Sequence, residues 1–238
     1  TVPASVTFTA ANWDTPQTVT VTGVDDSIID GTITSTITIA VDDANSDDDF
    51  DAVTDQTLSV DTTDDDVAGF TIEETEGATE VDESGSTDTF TIVLDAQPTN
   101  DVVVLATASN DETEAIVSGS ITFTSENWDT PQTVTVTGVD DDLVDGDQTY
   151  DIIISIVDTI SDDDFDGVAD QSVSSTTLDD DAPGFTIEET DAATEVDESG
   201  STDTFTVVLD AQPTSDVVLT ITSDDTGEAT VNNPLTFT

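Results

Sequence analysis

The chain contains no lysine, arginine, histidine, cysteine or methionine. Without one basic side chain it has nothing with which to approach a polyanion, so nucleic acid and anionic membrane surfaces are excluded as partners. The lack of cysteine excludes disulfides, and the lack of lysine excludes a Lys-to-Asn or Lys-to-Asp side-chain cross-link; any staple in this protein is non-covalent. With no His, Cys or Lys, general acid and base work would fall to a carboxylate pair as in glycosidases, and no pair is marked out for it. An enzyme is therefore not expected. No apolar run approaches the ~18 residues needed to span a bilayer. Residues 1–30 lack the charged-then-apolar pattern of a signal peptide, so the chain reads as a soluble piece of a longer one, without membrane insertion. Aromatic residues are only 5%, too few for an adhesin tip that stacks sugars.

What is present is acid. The 238 residues include 56 Asp and Glu, giving a formal net charge of −56, and 43 of these are Asp against 13 Glu. Asp favours turns and metal loops, whereas Glu is the better helix former, so helices should be scarce. The counter-charge must be dissolved cations or a cationic partner.

The stretch "NWDTPQTVTVTGVDD" occurs at residues 12–26 and again, unchanged, at 127–141, an offset of 115. The same offset pairs "GFTIEET" at 69–75 with 184–190, "VDESGSTDTFT" at 81–91 with 196–206, and "SDDDFD" at 46–51 with 161–166. Boundaries fall at "DDDVAGF" (64–70) and "DDDAPGF" (179–185), where acidic triplets meet small residues, Pro and Gly. The expected organisation is the C-terminal part of a repeat at 1–66, a complete repeat at 69–181, and the N-terminal part of the next at 184–238. The chain opens on "TVPASVTFT" and closes on "TVNNPLTFT", the same element of that repeat.

Inside the complete repeat the apolar period is two: Phe90, Ile92 and Leu94 alternate with Thr and Val, and Val134 and Val136 with Thr. Seven strands are predicted, at about 69–74, 89–95, 101–108, 118–124, 133–139, 149–157 and 171–178. That spacing fits an all-β fold of tandem immunoglobulin-like Greek-key β-sandwiches, about 115 residues per repeat.

Because successive antiparallel strands alternate direction, the loops can be sorted by end. The turn "ATEVDESGS", the loops "SNDETE" and "VDDDLVDGDQ", and the terminal "LDDD" share one end. Glu83, Asp111, Asp140, Asp141, Asp142, Asp145, Asp179, Asp180 and Asp181 should converge there. Two carboxylates ~5 Å apart at an effective dielectric of about 20 repel by roughly 3 kcal/mol. Such a group calls for a hard divalent cation, and Ca²⁺ with its 6–8 oxygen ligands and tolerant geometry suits it better than Mg²⁺. Scattered acids such as Asp88, Asp95 and Glu126 read as solvated surface. At the opposite end the triplet Asp162–Asp164 is a second candidate for metal, and Trp128 reads as a cap on the core or a sugar platform.

"VDESG" after a first strand, "LDAQPT" leading to "DVVV", "ITFTSENWDTPQTVTVTGVDDD" and a closing "LDDD" together resemble Calx-beta domains. These are calcium-binding sandwich modules of sodium/calcium exchangers, of integrin β4 and of tandem arrays in large bacterial surface proteins. The resemblance implies calcium ligands at Glu83, Asp111, Asp140, Asp141, Asp145 and Asp179–Asp181. This chain has "DGDQ" where the family usually carries Glu. Counterparts in the partial repeats are Asp25, Asp26, Asp30, Asp64, Asp65 and Asp66 in the first, with Ser27 replacing Asp142, and Glu198 in the last. The implied function is a calcium-stabilised repeat segment of an extracellular adhesin, stalk or filament, partnered head-to-tail by neighbouring repeats. The alternative is a calcium-sensing module whose interdomain geometry changes on binding.

Overall fold

The computed structural model describes residues 5–109, 113–231 and 234–238, so Asp111 lies outside the described residues. The chain divides into two compact units, Thr1–Val67 and Ala68–Thr238. In the first, β1 (Ile33–Ile39) and β2 (Gln56–Thr62) form an antiparallel pair with Ile33 opposite Thr62 and Ile39 opposite Gln56.

The second unit begins with a complete sandwich. Its strands are β3 (Phe70–Glu74), β4 (Thr79–Asp82), β5 (Thr87–Leu94), β6 (Val102–Ala108), β7 (Ala115–Val117), β8 (Ser120–Phe123), β9 (Gln132–Gly138), β10 (Gln148–Ile156) and β11 (Gln171–Leu178). One sheet has the order β3-β5-β9-β7 and the other β4-β11-β10-β6-β8. All pairings in them are antiparallel except β4 with β11. Beyond it, β12 (Phe185–Glu189) pairs with β13 (Phe205–Leu209), and β14 (Val217–Leu219) with β15 (Leu235–Phe237). Among the described residues the helical segments are short 3₁₀ turns, and no helix is long and apolar enough to cross a membrane. The molecule is all-β, as the Asp-rich, Glu-poor composition and period-two patterning predict.

Two details differ from the sequence-based expectation. The stretch read as one turn after the first strand contains β4, because Thr79 and Val81 alternate with Glu80 and Asp82 and bury themselves beside β11. The strand expected at 118–124 is β8, which joins β6, and a further short strand not expected from the sequence, β7, precedes it and joins β9 in the other sheet. Ala115 and Val117 face the core before that switch and Phe123 after it, so both short strands anchor in the same interior.

That interior is built from alternate residues of both sheets: Phe90, Ile92, Val134 and Val136 from one, Val104, Ile152 and Ile154 from the other. Each fully buried side chain of this size contributes about 1.5–3 kcal/mol of transfer free energy. Phe165, from the loop between β10 and β11, closes one end of the core, while Trp128 stays half-buried with its carbonyl accepting from the Leu94 amide at 3.1 Å.

Candidate metal centre

Glu83 follows β4 in the sequence Val-Asp-Glu-Ser-Gly-Ser, and a tight turn holds it. The Asp82 amide donates to Ser86 Oγ at 2.7 Å, the Ser84 hydroxyl donates to the Asp82 carboxylate, and the Gly85 amide donates to the Asp82 carbonyl at 3.2 Å. The Glu83 amide donates to the Leu178 carbonyl at 3.1 Å, tying the turn to the end of β11. The other side leans on Gly138 at the end of β9, where an added Cβ would lie 2.0 Å from the Asp82 carbonyl oxygen. Only glycine permits that approach. The turn is thereby pressed between both sheets, and Glu83 is left 1% exposed.

A buried carboxylate needs partners, yet Glu83 Oε2 has none among the described residues. Burial pushes the Glu83 carboxyl up to about 7, and the negative charges of Asp141, Asp179, Asp145 and Glu114 push in the same direction. Glu114 is raised as well, by its own burial and by Asp145 and Asp141. Asp181 is raised by burial first and then by Asp142, Asp179, Asp180 and Asp140, and its Oδ2 likewise has no partner among the described residues.

The loop between β9 and β10 is held against this group by backbone donors. Gly146, at φ +78, turns its amide onto Asp179 Oδ2 at 2.7 Å, and the Asp179 amide donates to Asp147 Oδ1 at 3.3 Å. The Asp181 amide donates to Asp179 Oδ1 at 2.8 Å, and the Leu143 amide to Asp141 Oδ1 at 2.6 Å. Asp179 thus braces the triplet and the loop at once. One carboxylate oxygen each from Glu83, Asp179 and Asp181 lies within 4.8 Å of the others. Oxygens gathered this closely can share one divalent cation, whose oxygen ligands lie at about 2.0–2.6 Å.

The expected ligands therefore divide. Glu83, Asp179 and Asp181 come together; Asp141 and Asp145 act electrostatically on Glu83, and Asp140 and Asp142 on Asp181. Asp180, between the two triad members, is exposed. Glu114 was not anticipated. Its signal in the sequence is its place just before the buried Ala115 of β7, with its carbonyl taken by the Val139 amide (2.9 Å) and the Thr177 hydroxyl (3.2 Å).

In the first unit the same acid frame recurs. The Asp30 and Gly31 amides donate to Asp64 Oδ2 at 2.9 and 2.8 Å, and the Asp66 amide to Asp64 Oδ1 at 2.9 Å. The Ile28 amide donates to Asp26 Oδ1 at 2.9 Å. Those backbone donors, Asp66 and Gly31 foremost, lower Asp64; burial, Asp64, Asp65, Asp25 and Asp26 raise Asp66. Within this sequence the copy of Glu83 is Glu198, exposed in the C-terminal half-repeat.

The second candidate for metal behaves differently. Asp162 is buried, and its Oδ2 accepts from the Thr99 amide (2.7 Å), the Thr99 hydroxyl (2.8 Å) and the Asn100 amide (2.6 Å), while Oδ1 accepts from the Asp164 amide (3.2 Å). Burial alone would raise it, and these donors reverse the sign and lower it. Asp162 is a clasp between two loops.

No family model matches the chain, and no curated protein matches it. Two solved structures share part of the arrangement. The E. coli chaperone DraB is 10% identical with a TM-score of 0.34, over 50% of this chain and 59% of that one. The apo-form Calx CBD1 domain is 16% identical with a TM-score of 0.32, over 47% of this chain and 98% of that one. Likenesses this distant leave the centre to be read from its own geometry.

Proposed function

We propose that the complete sandwich is a calcium-binding structural module, and that the chain is a calcium-stabilised repeat segment of an extracellular adhesin, stalk or filament. The observation that carries this is Glu83: a carboxylate 1% exposed, with one oxygen unpartnered among the described residues, facing Asp179 and Asp181. A divalent cation would supply the missing partner and neutralise the surrounding acids. Glu83, Asp179 and Asp181 would hold it, and the negative charges of Asp141, Asp145 and Glu114 bear on the same group. Near-identical repeats suit a spacer that adds length without changing character. A role without catalysis accords with the side-chain inventory, and an extracellular setting is part of the same proposal.

A sensing role is the second reading, and one contact favours it. The Gln212 amide donates to the Asp142 carbonyl at 2.6 Å, and Leu143 bridges Gln212, so the acidic loop touches the following half-repeat.

Thermal melting in calcium, in EDTA and in NaCl of matched ionic strength tests the proposal. With ~10 mM calcium and an affinity of about 0.1 mM, typical of extracellular modules, the gain is about 2.7 kcal/mol per site. A melting temperature that EDTA leaves unchanged rejects calcium binding and returns the acidity to simple solvation.

A further inference from the structure

We propose that the buried hydroxyls of Ser175, Tyr150 and Thr177 form a positioning relay for the acidic centre, fixing Glu114 and the acids on either side of it and raising the centre's affinity for a divalent cation. The cation in this statement rests on the calcium reading of the Glu83 cluster; the relay and its grip on Glu114 do not.

Apart from Asp162, the buried polar side chains among the described residues are Thr79, Glu83, Ser175 and Thr177, all on β4, the turn after it and β11. Tyr150 of β10 joins them: it is 7% exposed and lies opposite Ser175. The Ser175 hydroxyl donates to Tyr150 Oη at 3.2 Å, the Tyr150 and Thr177 hydroxyl oxygens are 3.1 Å apart, and the Thr177 hydroxyl donates to the Glu114 carbonyl at 3.2 Å. A hydroxyl has one proton to donate. Thr177 gives its own to Glu114, so Tyr150 donates to Thr177, and the bonds run in one direction from Ser175 to Glu114. Bonds aligned in this way polarise and strengthen one another.

The Glu114 carbonyl at the end of the relay is where the acidic segments are tied together. It also accepts the Val139 amide at 2.9 Å, and Val139 leads directly into Asp140 and Asp141. Thr177 leads into Leu178, whose carbonyl accepts the Glu83 amide at 3.1 Å, and then into Asp179. One oxygen therefore sets Glu114, the start of the β9–β10 loop and the end of β11 relative to one another. Pairing of the strands does not require the relay. In the first unit Ser35 and Val60 stand at the copies of Tyr150 and Ser175, opposite each other as the originals are, and β1 and β2 keep the register of β10 and β11. Thr62, the copy of Thr177, is retained there. The phenol and its donor are thus an addition of the complete repeat. Thr79, opposite Ser175 on β4, is the contrasting case: its hydroxyl is buried and has no partner among the described residues.

Titration calorimetry with calcium on the whole 238-residue chain tests the relay. Thr177→Val keeps the shape of the side chain and removes the hydroxyl. It should lower calcium affinity about tenfold, the low end of what hydrogen-bond partners behind a metal site contribute. Thr177→Ser restores the hydroxyl and should recover the affinity, and Tyr150→Phe should lower it by a smaller factor than Thr177→Val. Glu114→Gln should weaken binding as well, and adding Thr177→Val to it should cost little more, because both act through one residue. Thr79→Val, the same change on the neighbouring strand, should leave affinity at the parental value. A second readout is spectroscopic. Tyr150 is the single tyrosine of the chain, so the tyrosine doublet in ultraviolet resonance Raman reports the hydrogen bonding of that one hydroxyl. Calcium should shift it in the parent and not in Thr177→Val. If Thr177→Val binds calcium as tightly as the parent and only melts lower in EDTA, the relay is core packing, this inference is overturned and the calcium reading stands. An equal loss of affinity in Thr79→Val, or no recovery in Thr177→Ser, overturns it in the same way. A parent chain that takes up no calcium rejects the calcium reading and the relay's role with it.

Discussion

Two carboxylates are buried at opposite ends of the same sandwich, and their surroundings are opposite in kind. Asp162 receives four hydrogen bonds from residues 99, 100 and 164, and its acidity is strengthened. Glu83 has an oxygen unpartnered among the described residues, other carboxylates as its electrostatic neighbours, and an acidity weakened to about 7. Burial costs a charge its hydration in both places. At Asp162 the chain's own N–H and O–H groups replace the water, so the site is complete without a ligand. At Glu83 no such donor reaches Oε2 among the described residues, and this is what singles it out as the proposed cation site. Burial and acidity alone do not mark a metal site; the supply of donors decides.

Removing each carboxylate should break the comparison most sharply. Asp162→Ala leaves buried amides at Thr99 and Asn100 unpaired and should destabilise the sandwich by about 3 kcal/mol. In chemical denaturation that loss should be equal in calcium and in EDTA; a loss that depends on calcium would make Asp162 a ligand after all. Glu83→Gln should instead abolish most of the calcium increment of about 2.7 kcal/mol and leave the metal-free protein as stable as the parent or more so. If calcium still stabilises Glu83→Gln by the parental amount, the ion lies elsewhere.

The two ends should also answer pH in opposite directions. Glu83 in the folded metal-free protein holds its proton up to about 7, above its ordinary 4.5. Its contribution to stability is therefore fully present below about 4.5 and is lost as pH rises through 7. Asp162 is lowered from 3.8, so its contribution is present above that value and is lost as pH falls through the lower folded value. Melting temperatures in EDTA from pH 3 upward, for the parent and Glu83→Gln, should diverge between about 4.5 and 7. Parallel curves would remove Glu83 from the account. The smallest effect separates neighbours within the triplet. Asp179→Ala should cut calcium affinity strongly because it also releases Gly146 and Asp181, whereas exposed Asp180→Ala should cost less than about 1 kcal/mol of binding. Equal losses in titration calorimetry would mean that the triplet acts as diffuse charge.

Much of this was legible before the coordinates. Period two in "FTIVL" and "TVTVT" reveals strands, and the order of strands sorts Glu83, Asp141, Asp145 and the Asp179–Asp181 triplet to one end. Less legible was the choice within each group. Asp180 and Asp181 are chemically identical neighbours, and only the path of the chain after β11 turns one outward and the other inward. Asp162 sits in "SDDDFD" looking like any metal loop, and the donors that saturate it come from residues 62–63 positions away.

The duplicated segments divide the determinants most clearly. Thr71 and Thr186 each donate to an Asp 24 positions on at 2.9 Å, and Glu80 and Glu195 each donate through their amides to Asp88 and Asp203 at 2.9 and 2.8 Å. Identical words make identical hairpins, because these hydrogen bonds join residues close in sequence and need nothing from outside. Asp47, the copy of Asp162, keeps its own turn bond from the Asp49 amide at 3.0 Å. Among the described residues no bond like those from Thr99 and Asn100 reaches it. Burial obeys a different rule: Phe70, Val81 and Glu83 are enclosed, and Phe185, Val196 and Glu198, the same letters, face solvent. Strand formation divides the same way: "TVTVTG" lies in β9 at 133–138 and carries no strand at 18–23, and "TEVD" is β4 at 79–82 and carries none at 194–197. Local turns and hairpins therefore belong to the sequence, whereas long-range strand pairing, core, raised acidity and acidic cluster form where both halves of a repeat meet, because each needs partners from far along the chain.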